Sequence, residues 1–330
     1  MEHTKKYYHE INIARAIALL FVVLGHSIPD AQTTITHPAA QEILNICYSF
    51  HMGLFFLLSG FVFANRFLTG DYQLAEQLKN KFCRLMVPYF IYSVITLLLK
   101  LAFAKYANNS FELKEFYKIF LGENPNGGLW YLWTLFMIMV MFLLIGKSKH
   151  RWILAGVITA ALYIVCLLVP HGFYSKLMNY PLYFLIGILL FRYYGSLKKI
   201  IAGPITGLAA LAVFVLLHIF NLNSYYLFTC ITASIFILCI SIRLSACRHD
   251  KPVFRTLSTL GTYSYDIYLL SYFVQVPIRV LFYSIFPIPY WLLFAVMFFG
   301  GLIIPYFASK WIFRKIPLTN FLLLGNRRKA

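Results

Sequence analysis

The apolar segment from residue 11 to residue 28 contains two ionisable side chains, Arg15 and His26. Their separation of eleven residues is about three turns of an α-helix with only ~20° left over, so both side chains lie on one face, about 16 Å apart along the axis. An ionisable group in a bilayer costs roughly 2.5 to 3.5 kcal/mol on insertion scales. We therefore interpret the pair as functional, with a fixed cation near one side of a membrane and a titratable base near the other.

Histidine is the candidate base because an unperturbed imidazole, with a pKa of about 6.5, is mostly neutral at pH 7 and can accept a proton. We assign this role to His26 because it lies on the same helix face as Arg15. His51 lies at a comparable depth in the second apolar segment, and a hydrogen-bonded structural role is the alternative for it. Trp130 and Trp133 open the fourth segment at its outer end, where they form part of an interfacial aromatic belt or stack against a substrate.

Asp266 is the only acidic residue within a predicted span. A buried carboxylate needs a partner, and Arg15 enters the membrane from the same side, so we predict an ion pair of Asp266 with Arg15 or with Arg84. A pair that only fixes the packing of two helices is the alternative interpretation of Asp266.

The composition requires a membrane protein. Of the 330 residues, 61% are hydrophobic and 12% are charged, and the mean hydropathy is +0.73. Apolar segments long enough to cross a hydrocarbon core of roughly 30 Å recur along the chain, and the sequence predicts an all-α, polytopic bundle of about ten transmembrane helices. The predicted spans are 11–28, 43–63, 85–104, 129–146, 152–169, 178–194, 204–220, 226–242, 258–282 and 290–312.

The formal charge of +18 does not indicate a nucleic-acid partner, because the basic residues alternate between loops instead of forming one basic surface. With both termini inside, the cytoplasmic segments contain 22 Lys and Arg residues and the outer loops contain 5. The positive-inside rule therefore predicts cytoplasmic termini, and membrane lipids are the expected surroundings of the protein.

Six cysteines occur without a CxxC pair, and most fall within or beside spans. We interpret them as small packing residues and predict no metal site. The sequence contains no Gly-rich phosphate loop and no soluble catalytic domain, so we expect a single transmembrane domain over residues 1–330 without a fused extracytoplasmic domain.

A base facing outward and a cation facing inward suit a reaction whose two substrates arrive from opposite sides of the membrane. An acyl thioester of coenzyme A is cytoplasmic and anionic at its nucleotide end, so Arg15, helped by Arg84, is expected to hold it while His26 deprotonates an acceptor hydroxyl. The alternative is a polysaccharide exporter or flippase that uses Arg15, His26 and Asp266 as a relay.

The order of several motifs resembles that of the membrane acyltransferase 3 family. The Arg15 and His26 spacing resembles the family's signature, and the match continues through FHMGLFFLLSGF at 50–61, KFCRLMVPYF at 81–90 and GLWYLWTLF at 128–136. Two later stretches, YPLYFLIGILLF at 180–191 and LGTYSYDIYLLSYF at 260–273, resemble the family's later helices. Ser271 stands where many members have histidine.

The resemblance implies a ten-helix O-acyltransferase of the cell membrane, the plasma or inner membrane. Such an enzyme usually transfers acetyl from acetyl-CoA to a hydroxyl of an envelope sugar or lipid-linked glycan. By motif match, the functional roles fall on Arg15, His26, Arg84, Ser264 and Tyr268.

Overall fold

A computed structural model of the chain describes residues 7–30, 35, 37–103, 115–169, 174–220, 226–246 and 251–326. Within these residues the protein is helical and contains no β-strand, which confirms the predicted all-α class. The helices are α1 (His9–His26), α2 (Pro38–Thr69), α3 (Leu74–Lys81), α4 (Val87–Ala102), α5 (Lys118–Leu121), α6 (Trp130–Gly146), α7 (Arg151–Leu168), α8 (Ser175–Arg192), α9 (Tyr194–Ile201), α10 (Pro204–Ile219), α11 (Tyr226–Ala246), α12 (Pro252–Arg279), α13 (Tyr290–Ala308) and α14 (Pro317–Leu322).

Seven helical stretches of the described chain are long and apolar enough to cross a membrane, and α9 with α10, bent by 75°, forms an eighth candidate. All ten predicted spans overlap a helix. Two of those helices, α8 and α12, are too polar to be assigned as spans on composition alone. The multi-pass membrane fold is therefore observed, while the number ten and the cytoplasmic location of the termini remain predictions.

Two glycines set the close approach of α2 to α8, the most extensive helix pair of the bundle. A Cβ at Gly60 would overlap the backbone carbonyl of Phe184, and a Cβ at Gly187 would overlap that of Leu57. Small residues let helix backbones approach closely in a membrane, where dispersion contacts replace the hydrophobic effect as the source of association. Helix α1 packs against the α2 member of this pair.

Helix α1 lies between α2, α11 and α12. Gly261 of α12 allows the backbone of Asn12 to approach, and the Asn12 side chain donates a hydrogen bond to the carbonyl of Ser258 over 2.8 Å. At the start of α1, the buried carboxylate of Glu10 accepts hydrogen bonds from Tyr194 (2.6 Å) and Lys198 (2.7 Å) of α9. These contacts fix the axial position of α1 and therefore of its ionisable residues.

Large apolar side chains cover the outward faces of the peripheral helices. Examples from α7 and α10 are Val157, Leu167, Ile205 and Leu208, all more than 60% exposed. Exposed apolar surface of this extent is unstable in water but suits contact with lipid chains. The polar side chains considered below lie instead between helices.

Candidate functional site

Arg15 lies in the second turn of α1 and lines a cavity of about 150 Å³. The other lining residues come from α2, α3 and α6 and are Ser59, Val62, Phe63, Arg66, Lys81 and Met139. Within the described part of the chain, the Arg15 guanidinium has neither an ion pair nor a hydrogen bond, and the groups that act on it electrostatically are Tyr131, Tyr7 and Arg84. Its charge is therefore available to a ligand that enters the cavity.

His26 ends α1 at the opposite end of the same helix face. It is exposed, and its Nδ1 lies 3.5 Å from the hydroxyl of Tyr48 on α2. A contact of this length is at the limit of a hydrogen bond and leaves the ring free to shift. An exposed imidazole at the end of a span has the access that a base requires to meet an acceptor.

His51 is buried and lies one turn after Tyr48 on α2. Its Nδ1 donates to the backbone carbonyl of Cys47, so that its Nε2 is the unprotonated nitrogen. The ring of Tyr48 lies 5.0 Å from that of His51 and 6.0 Å from that of His26, centroid to centroid. Tyr48 therefore separates the two histidines, and the bond of His51 to its own helix favours the structural alternative for this residue.

The contacts of Arg15 and His26 place both residues on the side of α1 that faces α2. His26 contacts Tyr48, and Arg15 lines the cavity with Ser59. Tyr48 and Ser59 are themselves eleven residues apart, so the antiparallel helices present matched positions at both ends of one interface. The predicted common face of Arg15 and His26 is confirmed.

Two tyrosine side chains, Tyr131 and Tyr268, connect Ser59 with α12. The Ser59 hydroxyl lies 3.1 Å from that of Tyr131, whose ring packs 5.6 Å from that of Tyr268. The Tyr268 hydroxyl donates to the backbone carbonyl of Gly128. Ser59 was not predicted as a site residue, although the eleven-residue interval from Tyr48 to Ser59 was the available signal. Tyr131 was considered only for stacking on a substrate, together with Trp130 and Trp133.

Arg84 occupies a π-helical turn, Phe82–Met86, between α3 and α4. Its Nη1 donates to the carbonyl of Leu324 over 2.5 Å and to the side chain of Asn326, so the C-terminal segment holds its guanidinium. The guanidinium also lies 4.1 Å from the ring centroid of Tyr265. The Arg84 charge acts electrostatically on Arg15, whereas the two side-chain hydrogen bonds that Arg84 donates both go to the C-terminal segment.

The π-turn has a local cause, since Pro88 has no N–H to donate to the carbonyl of Arg84. That carbonyl instead accepts a hydrogen bond from the Tyr265 hydroxyl over 2.6 Å. Gly325, at a φ of +64°, packs its backbone against the carbonyls of Cys83 and Arg84, where a side chain would not fit.

The predicted partner of Asp266 is wrong. Its fully buried carboxylate pairs with Arg314 (2.7 Å to Nε) and accepts a second hydrogen bond from Ser309 (2.6 Å), so neither Arg15 nor Arg84 is its counter-ion. The reason is geometric, because Arg15 faces α2 while Asp266 faces the end of α13. This arrangement supports the alternative interpretation of Asp266, a pair that joins α12 to the segment after α13.

The remaining predicted residues have structural contacts. The Ser264 hydroxyl donates to the carbonyl of Gly261 in its own helix (2.8 Å). Trp130 stacks on Tyr180 with 5.3 Å between ring centroids, and Trp133 donates its indole N–H to the carbonyl of Phe120 (3.3 Å). The two tryptophans are thus held by neighbouring side chains and backbone, and stacking on a substrate remains a prediction for both.

Comparison with known proteins identifies the class. The chain matches the acyltransferase 3 family, described as "Acyltransferase domain", over residues 8–310. The protein therefore belongs to this family and is a membrane acyltransferase. No curated protein and no solved structure is significantly similar to the chain. Among the described residues, no group of three or more His, Cys, Asp or Glu side chains is arranged to hold a metal ion.

Proposed function

We propose that the protein is a multi-pass O-acyltransferase of the cell membrane. It moves an acyl group, which is acetyl in this proposal, from cytoplasmic acyl-CoA to a sugar hydroxyl. The sugar belongs to an envelope or extracellular polysaccharide or is linked to a lipid. Family membership supports acyl transfer. The donor, the acetyl group and the sugar acceptor are the proposed part.

The observation that carries the proposal is the placement of Arg15 and His26 at opposite ends of one α1–α2 interface. Arg15 lines a cavity without an ion-pair partner among the described residues, whereas His26 is exposed. The two positions are about 16 Å apart along the helix. An elongated donor with an anionic head and a reactive acyl end matches this arrangement, with its head at Arg15 and its thioester at His26.

The reaction requires one proton acceptor and one site for an anion. The acceptor hydroxyl oxygen attacks the thioester carbonyl carbon while the neutral imidazole of His26 takes the hydroxyl proton. The tetrahedral intermediate then collapses, the carbon–sulfur bond breaks, and the imidazolium returns the proton to the leaving thiolate. The products are a sugar ester and free CoA, and the base is regenerated without an oxidant or a metal.

Mass spectrometry of envelope glycans from cells with and without the gene tests the proposal. Cells with the wild-type protein should contain glycans heavier by one acetyl group, and cells with His26→Ala should lack this increment while their polymer is unchanged. His218→Ala is the matched control, because His218 bonds to the Phe214 carbonyl of its own helix, α10. Loss of surface polymer instead of loss of the ester would contradict acyl transfer and favour the exporter alternative.

A further inference from the structure

The cavity at Arg15 contains an unusual set of charges. Three of its seven lining side chains are cations, Arg15, Arg66 and Lys81, and none is a carboxylate. The two other polar contributions are a hydroxyl, Ser59, and the thioether of Met139, and Ser59 already contacts Tyr131. Like charges gathered around a small space beside apolar helices repel one another, and an anion in that space relieves the repulsion.

The cations are held at the cavity by the fold. Arg66 lies in the last turn of α2, where the helix dipole favours a positive charge, and it is exposed, so the cavity can be reached at this end. The ammonium of Lys81, in the last turn of α3, lies 5.8 Å from the ring centroid of Phe63. Arg15 approaches from α1, so three separate helices each supply one cation.

The size of the cavity limits its ligand. A volume of about 150 Å³ is well below the ~300 to 1,000 Å³ of a site for a drug-sized molecule, although it exceeds the ~30 Å³ share of one water. One compact tetrahedral anion fits this volume, and the rest of a larger ligand would lie outside the cavity. Arginine in particular suits phosphate, because its planar guanidinium can bind two oxygens at once.

We propose that this cavity binds one phosphate group of a phosphate ester, with Arg66 and Lys81 as binding residues beside Arg15. The phosphate belongs either to the nucleotide end of the acyl donor or to an anionic lipid headgroup. The donor version rests on the proposed function, in which the acyl-CoA supplies the phosphate. Arg66 and Lys81 then anchor the donor while its thioester extends toward His26.

Binding of three probes to the purified full-length protein in detergent micelles tests the site. The probes are inorganic pyrophosphate, CoA, and pantetheine, which lacks phosphate. The wild-type protein should bind CoA at least tenfold more tightly than pantetheine, and Arg66→Gln and Lys81→Gln should each reduce this preference by about tenfold, the effect of one lost charge-assisted hydrogen bond. Lys79→Gln, an exposed lysine of α3 outside the cavity, is the matched control and should retain it.

An unchanged CoA preference in both cavity variants would overturn the donor version, and unchanged pyrophosphate binding in both would overturn the proposal. Because Arg66 is exposed, its replacement should leave folding intact, and gel filtration checks this. Micelles containing phosphatidylglycerol distinguish the two phosphate sources. If the lipid, CoA or both displace pyrophosphate from the protein, the site is supported and the source of its phosphate is identified. If neither displaces pyrophosphate, the proposal is contradicted.

Measuring pyrophosphate binding and acetyl transfer separately distinguishes a failure of this inference from a failure of the proposed function. If the protein binds pyrophosphate through Arg66 and Lys81 but transfers no acetyl group, the cavity assignment stands and the function fails. If acetyl transfer depends on His26 while Arg66→Gln and Lys81→Gln bind pyrophosphate and CoA normally, the function stands and the cavity assignment fails.

Discussion

Asp266 and Arg314 form an ion pair of 2.7 Å in which the carboxylate is fully buried and the arginine side chain is 30% exposed. Ser309 donates a second hydrogen bond to the same oxygen, Oδ2, whereas Oδ1 is buried without a hydrogen-bond partner among the described residues. The guanidinium of Arg314 also lies 3.9 Å from the ring centroid of Tyr263. The pair joins α12 to the π-helical turn Ser309–Phe313 after α13. Its role is to hold this end of the bundle together.

The first prediction concerns this ion pair. Arg314→Leu should lower the free energy of unfolding by about 3 kcal/mol, the lower end of the range for breaking a buried pair, because the Asp266 charge remains buried without a partner. Asp266→Leu with Arg314→Leu should recover most of the loss. Thermal unfolding in detergent measures both, and Lys315→Leu, an exposed neighbour, controls for loss of charge. Equal destabilisation by the single and double changes would contradict the pairing.

Arg15 should act independently of Asp266. Arg15→Lys should raise the KM for the acyl donor about tenfold or more, since lysine lacks the planar fork that binds two acceptors at once. Arg15→Leu should stay inactive when it is combined with Asp266→Leu, because the two side chains do not form an ion pair. Acetyl transfer at matched expression is the measurement, and rescue in the double variant would show that Arg15 acts only as a counter-ion.

His26 should be required for chemistry and not for insertion. His26→Ala, and also His26→Gln, should reduce acetyl transfer by roughly 10² to 10⁴, the usual effect of removing a positioned base. Tyr48→Phe should have a small effect, since its hydroxyl lies 3.5 Å from the imidazole. Membrane fractionation checks insertion. Near-normal transfer by His26→Ala would assign the base elsewhere, with His51 as the first candidate.

The close contact of α2 with α8 should be sensitive to a single methyl group. Gly187→Ala should strongly destabilise the protein, because the new Cβ would overlap the carbonyl of Leu57. Gly156→Ala in α7 is the matched control, since no atom lies within 4 Å of its Cβ position. It should be neutral or stabilising by up to about 1 kcal/mol, the helix-propensity difference. Similar melting temperatures for the two variants would contradict the tight interface.

The orientation of the chain can be tested by labelling introduced cysteines in a background without the native ones. Tyr117 is 61% exposed and belongs to a predicted outer loop, whereas Lys199 of α9 is exposed on the predicted cytoplasmic side. An impermeant reagent applied to intact cells should label Tyr117→Cys and not Lys199→Cys. The reverse pattern would invert the predicted topology.

The sequence was sufficient for the features that depend on local periodicity. The apolar segments predicted the helices, and the eleven-residue interval predicted the common face of Arg15 and His26, because both follow from 3.6 residues per turn. The partner of Asp266 was not predictable in this way. Choosing Arg314 over Arg15 requires knowledge of which helices are neighbours and how each is rotated, and both depend on contacts between residues far apart in sequence.

The same limit applies to the C-terminal segment and to α9. The sequence analysis predicts an uninterrupted span over 85–104, whereas the π-turn at Arg84 has a carbonyl that accepts a hydrogen bond from Tyr265, which is 181 residues away. Residues after 194 were interpreted as a short loop, although the chain there forms α9, bent by 75° from α10. An amphipathic helix of eight residues gives too weak a periodic signal to separate it from a basic connection.

Helix α1 is one uninterrupted segment of 18 residues that contains both Arg15, at the cavity, and His26. A regular α-helix resists stretching, since its length is fixed at ~1.5 Å per residue. Any slide of α1 along α2 therefore moves Arg15 and His26 by the same amount and leaves the interval between them unchanged. The helix acts as a molecular ruler, and a donor whose arm is shorter or longer than this interval cannot reach both ends at once.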